Sequence, residues 1–284
     1  VKNLGLILGV ASFFMWGAFP VYFKYLSNIS PFEILANRIL WSFIFVFFVL
    51  LFCKKLGSLK RYLLDKKLFF KLSICGILVS LNWGIYVYAI TINRVLDASL
   101  GQFINPLMYM FLGIVFFKEK PSKLEFTAIF LGFLAIMIQV IELGSFPYIA
   151  CFLSLSFTIY GLLKKKMNIP SLEGLFIETF VVAIISFFYI SLTPSNLNFD
   201  LTGLLLLGCG IVTLVPMITF NYATLLLKLS TIGFLQYITP ICTVIFGVVL
   251  FNEHFSIYKF ISFGLIWIAL IMITYDGYKR RENV

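Results

Sequence analysis

Ten apolar runs, each close to the ~20 residues a helix needs to cross a ~30 Å hydrocarbon core, follow one another along this 284-residue chain. They cover Leu4–Phe23, Pro31–Cys53, Phe69–Ile92, Leu96–Phe117 and Leu124–Leu143, then Phe146–Leu163, Ser171–Leu192, Leu201–Leu227, Leu229–Phe251 and Ser256–Tyr275. A backbone surrounded by lipid has to satisfy its own N–H and C=O groups, so apolar runs of this length fold as helices. Composition agrees, because only 12% of the residues are charged against about 25% in a soluble domain. The expected fold class is an all-α membrane protein with ten transmembrane helices. The first run begins like a signal peptide, with Lys2 ahead of apolar residues, but it continues through Met15, Trp16 and Gly17 without a small-residue cleavage pattern. It reads as a retained helix.

Charge sets the orientation. With ten spans, one face collects seventeen basic residues, among them Lys54, Lys55, Lys118, Lys120, Lys164, Lys165, Lys166 and Lys228, while the loops of the other hold Lys24 and Arg94. Positive-inside asymmetry makes the crowded face, with both termini, cytoplasmic. The net charge of +10 is spread over short gaps between apolar runs, where membrane lipid headgroups are the natural counter-charge. Membrane lipids are expected partners and nucleic acid is not. The five cysteines, Cys53, Cys75, Cys151, Cys209 and Cys242, match no redox or metal spacing. With His254 the lone histidine, no metal, cofactor or catalytic residue is expected.

The chain also repeats itself. Tyr88-Ala89 recurs as Tyr222-Ala223, Gln102 and Pro106 recur as Gln236 and Pro240, and Glu119 as Glu253, all at an offset of 134 residues. Asn28, Ile29 and Glu33 recur at 140, and Ser12, Phe13 and Gly17 at 144. Polar residues and proline are scarce inside membrane helices, which gives a shared offset weight. The expected halves are residues 1–144 and 145–284, five helices each. An odd number of helices makes the second half enter the membrane in the opposite sense. Two inverted five-helix repeats are an architecture of secondary transporters.

Pro106 lies ten residues into the fourth run and Pro240 eleven into the ninth, about 15 and 16 Å deep from opposite faces. Each proline bends its helix and frees the carbonyl four residues back, that of Gln102 or Gln236. Ser99, Gln102, Asn105 and Tyr109 share one face with Pro106, and Gly233, Gln236 and Thr243 share one with Pro240. These faces fit either a substrate cavity or hydrogen bonds that hold helices together. Asn82, Trp83 and Tyr86 in the third run and Asn221 in the eighth extend the polar set, with Trp16 and Tyr160 as aromatic walls or ordinary packing. Arg38 either binds an anionic group or turns outward toward Glu33. Glu178 stands at the repeat position of Arg38. It is the candidate proton-coupling carboxylate, because burial favours the neutral form of a carboxyl group.

Phe32 to Ser42 (FEILANRILWS), Asn82-Trp83, and Asp97 to Leu107 (DASLGQFINPL) resemble the drug/metabolite transporter superfamily in its EamA-type form, and within it the RarD-like proteins. Asn37 and Asp97 depart from that pattern, which has His and Glu at the corresponding places. The resemblance implies a permease of the bacterial inner membrane whose central cavity is bordered by helices 1, 3, 4, 6, 8 and 9. The expected function is alternating-access transport of a small-molecule substrate, a metabolite or drug-like compound. The alternative is a membrane-embedded enzyme or a lipid-handling protein. No nucleotide-binding loop is present to drive ATP-powered transport.

Overall fold

The computed structural model describes residues 2–26, 28–91, 95–144, 146–193, 200–251 and 256–282. Regular structure among them is helical throughout, in thirteen segments. The first run forms α1 (Lys2–Gly17) and α2 (Phe19–Lys24) rather than one helix. Pro20 explains the break, since it has no N–H to give the preceding turn but fits the first turn of a new helix. α3 (Pro31–Phe52) likewise starts on proline. A short segment that apolar runs could not signal, α4 (Leu56–Leu64), precedes α5 (Lys66–Thr91). Leu59 of α4 is buried, and Ser58 donates to the Glu173 carboxylate.

α6 (Val95–Phe117) runs unbroken through Pro106. α7 (Lys123–Leu143) opens on a capping box in which Ser122 and Glu125 satisfy each other's backbone N–H groups, and closes on Gly144 at φ 69°. That left-handed turn suits glycine. α8 (Tyr148–Met167), α9 (Ser171–Leu192) and α10 (Leu201–Leu226) follow, the last capped by Asp200. The ninth run divides at Tyr237 into α11 (Leu229–Gln236) and α12 (Ile238–Phe251), so Pro240 marks a break where Pro106 does not. α13 (Ile257–Glu282) extends past the expected end at Tyr275.

Seven helical stretches among the described residues are long and apolar enough to cross a bilayer, with shorter apolar stretches at Leu229–Cys242 and Ile257–Ile273. Large side chains such as Phe70, Phe126, Phe187 and Leu192 face outward, a surface suited to acyl chains. This is a multi-pass membrane protein.

The helices pair across the middle of the sequence. α3 packs on α9 and α10, α5 on α8 and α9, α6 on α8 and α11, α1 on α10 and α12, and α7 on α13. Glycines allow close crossings at two of these contacts. A Cβ on Gly76 would overlap the backbone carbonyl of Glu178, and one on Gly210 would lie 2.6 Å from the carbonyl carbon of Trp41. Small residues of this kind let membrane helices meet backbone to backbone. Glu119, just beyond α6, accepts from the N–H groups of Leu229 and Ser230 at 2.8 and 3.0 Å, placing negative charge on the start of α11 where unpaired N–H groups favour it.

Candidate functional site

The polar faces of α6 and the α11–α12 unit meet, but as packed surfaces. A Cβ on Gly233 would lie 2.6 Å from the Pro106 carbonyl oxygen, so the two backbones leave no room for solute there. Tyr109 is fully buried and donates to the Phe157 carbonyl at 2.9 Å. Thr239 makes the related bond to the Phe13 carbonyl at 3.0 Å. Phe13 and Phe157 are partners in the 144-residue repeat. Gln102 is half-buried, whereas Asn105 Oδ1 and Gln236 Oε1 are buried without a hydrogen-bond partner among the described residues. The Thr243, Asp97 and Ser99 side chains lie outside the described residues, as do Arg94, Glu253 and His254.

A narrow crevice opens instead between α3, α5, α9 and α10. Ser42, Ser80, Trp83, Glu178, Thr179 and Thr213 line it together with apolar side chains and Gly76. Its position follows from helix crossing. Gly76 and Gly210 bring α5 onto α9 and α10 onto α3, and the four helices diverge around the gap.

Glu178 stands on one wall. Its Oε1 accepts from Lys164 Nζ at 2.6 Å, and its Oε2 accepts from the Tyr160 hydroxyl at 3.1 Å. Tyr160 also lies 3.2 Å from Asn221 Oδ1. Lys164 and Glu178 are both buried, at 3% and 1% exposure, so the lysine grouped with the cytoplasmic loop charges belongs to the interior. Gly174 makes room for it, since a Cβ there would lie 2.6 Å from Nζ. Tyr160 stacks on Phe220 and adjoins Phe157; Trp16 sits against both phenylalanines at 5.3 and 5.7 Å. Trp16 is thus a half-buried member of an aromatic cluster beside the ion pair.

Arg38 does not turn outward toward Glu33. Its Nε donates to Thr213 Oγ1 at 3.0 Å, and its guanidinium lies 4.6 Å from the Trp83 ring centre, 5.2 Å from Phe23 and 5.4 Å from Phe19. Arg38 and Glu178 come from helices that pack together, yet the carboxylate pairs with Lys164. Asn82 ties α5 to α8, donating to the Leu153 carbonyl at 2.7 Å and to Ser156 Oγ at 2.8 Å. Tyr86 is half-buried against Ala89, Ile149 and Leu153. Asn82→Leu is expected to lower stability by about 1 kcal/mol in thermal unfolding of the purified protein. Sequence reasoning missed Lys164, Thr213 and Ser42. The lysine lay hidden in a basic triplet, and the two hydroxyls carry no signal of their own.

The model of the EamA-like transporter family matches residues 3–141 and again 146–275. The chain belongs to the EamA-like transporter family. Among EamA-like relatives, an uncharacterized transporter, YojE, of Bacillus subtilis is 38% identical over 98% of this chain and 96% of its own length. Protein RarD of Escherichia coli is 34% identical over 98% of this chain and 97% of its own. A solved crystal structure 16% identical in sequence shares the fold, with a TM-score of 0.75 over 95% of this chain and 97% of that one. Family and relatives make this a membrane transporter of the drug/metabolite type.

Proposed function

We propose that the protein carries a small molecule across the bacterial inner membrane by alternating access, as a secondary-active transporter. The observation that carries this reading is the buried Lys164–Glu178 pair, whose carboxylate residue lines the crevice. Ionisable groups at membrane depth are costly, and they mark substrate or proton pathways. The pair is joined through Tyr160 to Asn221, so a change of charge at Glu178 reaches α8, α9 and α10 together.

The reading includes ten spans, arranged as inverted five-helix repeats over residues 1–144 and 145–284, with both termini cytoplasmic. The helix pairings support it. Matching each helix to its counterpart in the other half turns the α3–α10 contact into α5–α9, the α1–α10 contact into α5–α8, and leaves α3–α9 and α7–α13 unchanged. Two halves related in this way can exchange conformations and open a central site first to one side, then to the other.

Counterflow of labelled metabolites and antibiotics in proteoliposomes tests transport. Glu178 is the proposed proton-coupling group, with Lys164 as its ion-pair partner. Glu178→Gln is expected to abolish accumulation driven by a pH gradient while sparing exchange of labelled substrate across the same vesicles. Unchanged gradient-driven accumulation in Glu178→Gln would remove the carboxylate from the coupling path. Hydrolysis or lipid transfer by a protein that exchanges no solute would overturn transport itself.

A further inference from the structure

The ion pair leaves Arg38, which contacts the crevice residues Trp83 and Thr213, without a carboxylate partner among the described residues. Arg38 and Lys164 contribute two positive charges and Glu178 one negative, a net of +1. Among the described residues no carboxylate forms a salt bridge with Arg38. Its residual exposure is 9%, and an ion removed from water to this degree is destabilised unless a counter-charge is supplied.

The surroundings of the guanidinium define what that counter-charge looks like. Three aromatic rings, Trp83, Phe23 and Phe19, already contact it, so a further ring adds little. In its plane, Nε donates to Thr213, and the Nη nitrogens donate to no acceptor among the described residues. A guanidinium carries five N–H donors in a fixed fork. The unused part of that fork matches the two oxygens of a carboxylate. Trp83 and Thr213, which hold the guanidinium, also line the crevice. An acid group on Arg38 would therefore leave its organic body beside Trp83, toward the crevice bordered by Ser42, Ser80 and Thr179.

We propose that the substrate is an organic monoanion, a carboxylate-bearing metabolite whose acid group forks onto Arg38 while its body occupies the crevice between α3, α5, α9 and α10. The assignment of this anion as cargo rests on the transport reading above. An anionic lipid headgroup offers the same chemistry, and the test separates the two.

The full-length protein in phosphatidylcholine nanodiscs is melted with benzoate, 4-hydroxybenzoate or hexanoate, each beside its neutral amide. At least one carboxylate is expected to raise the midpoint while its amide does not. Arg38→Gln should abolish the shift, and Arg38→Lys should weaken binding roughly tenfold or more, as the loss of a charged bidentate contact implies. Thr213→Val keeps the guanidinium but releases Nε, so it should weaken the same response; it carries the test if the Arg38 variants fail to fold. Equal shifts with acid and amide, or a carboxylate shift unchanged in Arg38→Gln or Thr213→Val, overturn the proposal. So does Arg38-dependent stabilisation by phosphatidylglycerol with none by any soluble carboxylate. Vesicle exchange separates the two readings. Arg38-dependent carboxylate binding without exchange would refute transport and leave the anion site. Exchange confined to neutral or cationic compounds and intact in Arg38→Gln would refute the anion site and leave transport.

Discussion

Lys164→Met is expected to destabilise the protein by about 3–5 kcal/mol, read as a fall in the midpoint of thermal unfolding. The substitution removes the cation 2.6 Å from Glu178 and leaves a carboxylate at 1% exposure facing the Tyr160 hydroxyl alone. Removing one member of a buried pair costs more than removing both, because the survivor keeps its desolvation penalty. The double variant Lys164→Met, Glu178→Leu should therefore recover most of the loss while losing proton coupling. If single and double variants fall equally, attraction between the two charges is not what the fold relies on. Such a result would point to the seating of the Lys164 head group against Gly174.

The second large effect is steric. Gly76→Val is expected to abolish the folded, monodisperse protein. Gly76→Ala should lower stability by about 1–3 kcal/mol, the usual cost of overpacking. The atoms in the way belong to the backbone of α9 at Glu178, which cannot swing aside as a side-chain tip would. Displacing α9 also moves the carboxylate away from Lys164, so the same variant is expected to impair gradient-driven transport. Gly264 supplies the control. A Cβ there meets nothing within 4 Å, and Gly264→Ala in the half-buried interior of α13 should be neutral or mildly stabilising. Comparable losses at Gly76 and Gly264 would refute the close-crossing argument.

Much of this architecture was legible in the sequence, and the physical reason differs from one element to another. Lipid forces apolar runs into helices, so the helical bodies of α3, α9 and α10 fall where hydropathy puts them. Breaks were harder to read. Pro20 divides the first run and Pro240 the ninth, whereas Pro106 is absorbed without interruption, because neighbouring helices decide whether freed backbone groups find cover. α4 lies outside the apolar pattern altogether, and only its docking onto α9 through Ser58 reveals it.

The candidate site was legible in part. Glu178, Arg38 and Trp83 could be singled out because charge and indole are rare at such depth. The crevice could not be located, since it depends on where helices separate. Gly76 and Gly210 hold that information and stand at the same 134-residue spacing as the other repeat pairs. Lys164 shows the limit of counting charge by loop. It adjoins Lys165 and Lys166 in the chain but turns inward by helical rotation.

The pairing of helices across the middle of the chain has a consequence for biosynthesis. α1, α3, α6 and α7 each find major partners among α8 to α13, segments that leave the ribosome later. Early helices can enter the membrane singly, since each satisfies its own backbone, but their polar and glycine-bearing flanks then face lipid until the rest of the chain arrives. Ordering of the bundle is thus postponed to the end of synthesis. A ribosome stalled after α7 would leave inserted rods without the lasting contacts of the finished protein, exposed to whatever quality-control proteases patrol the bilayer.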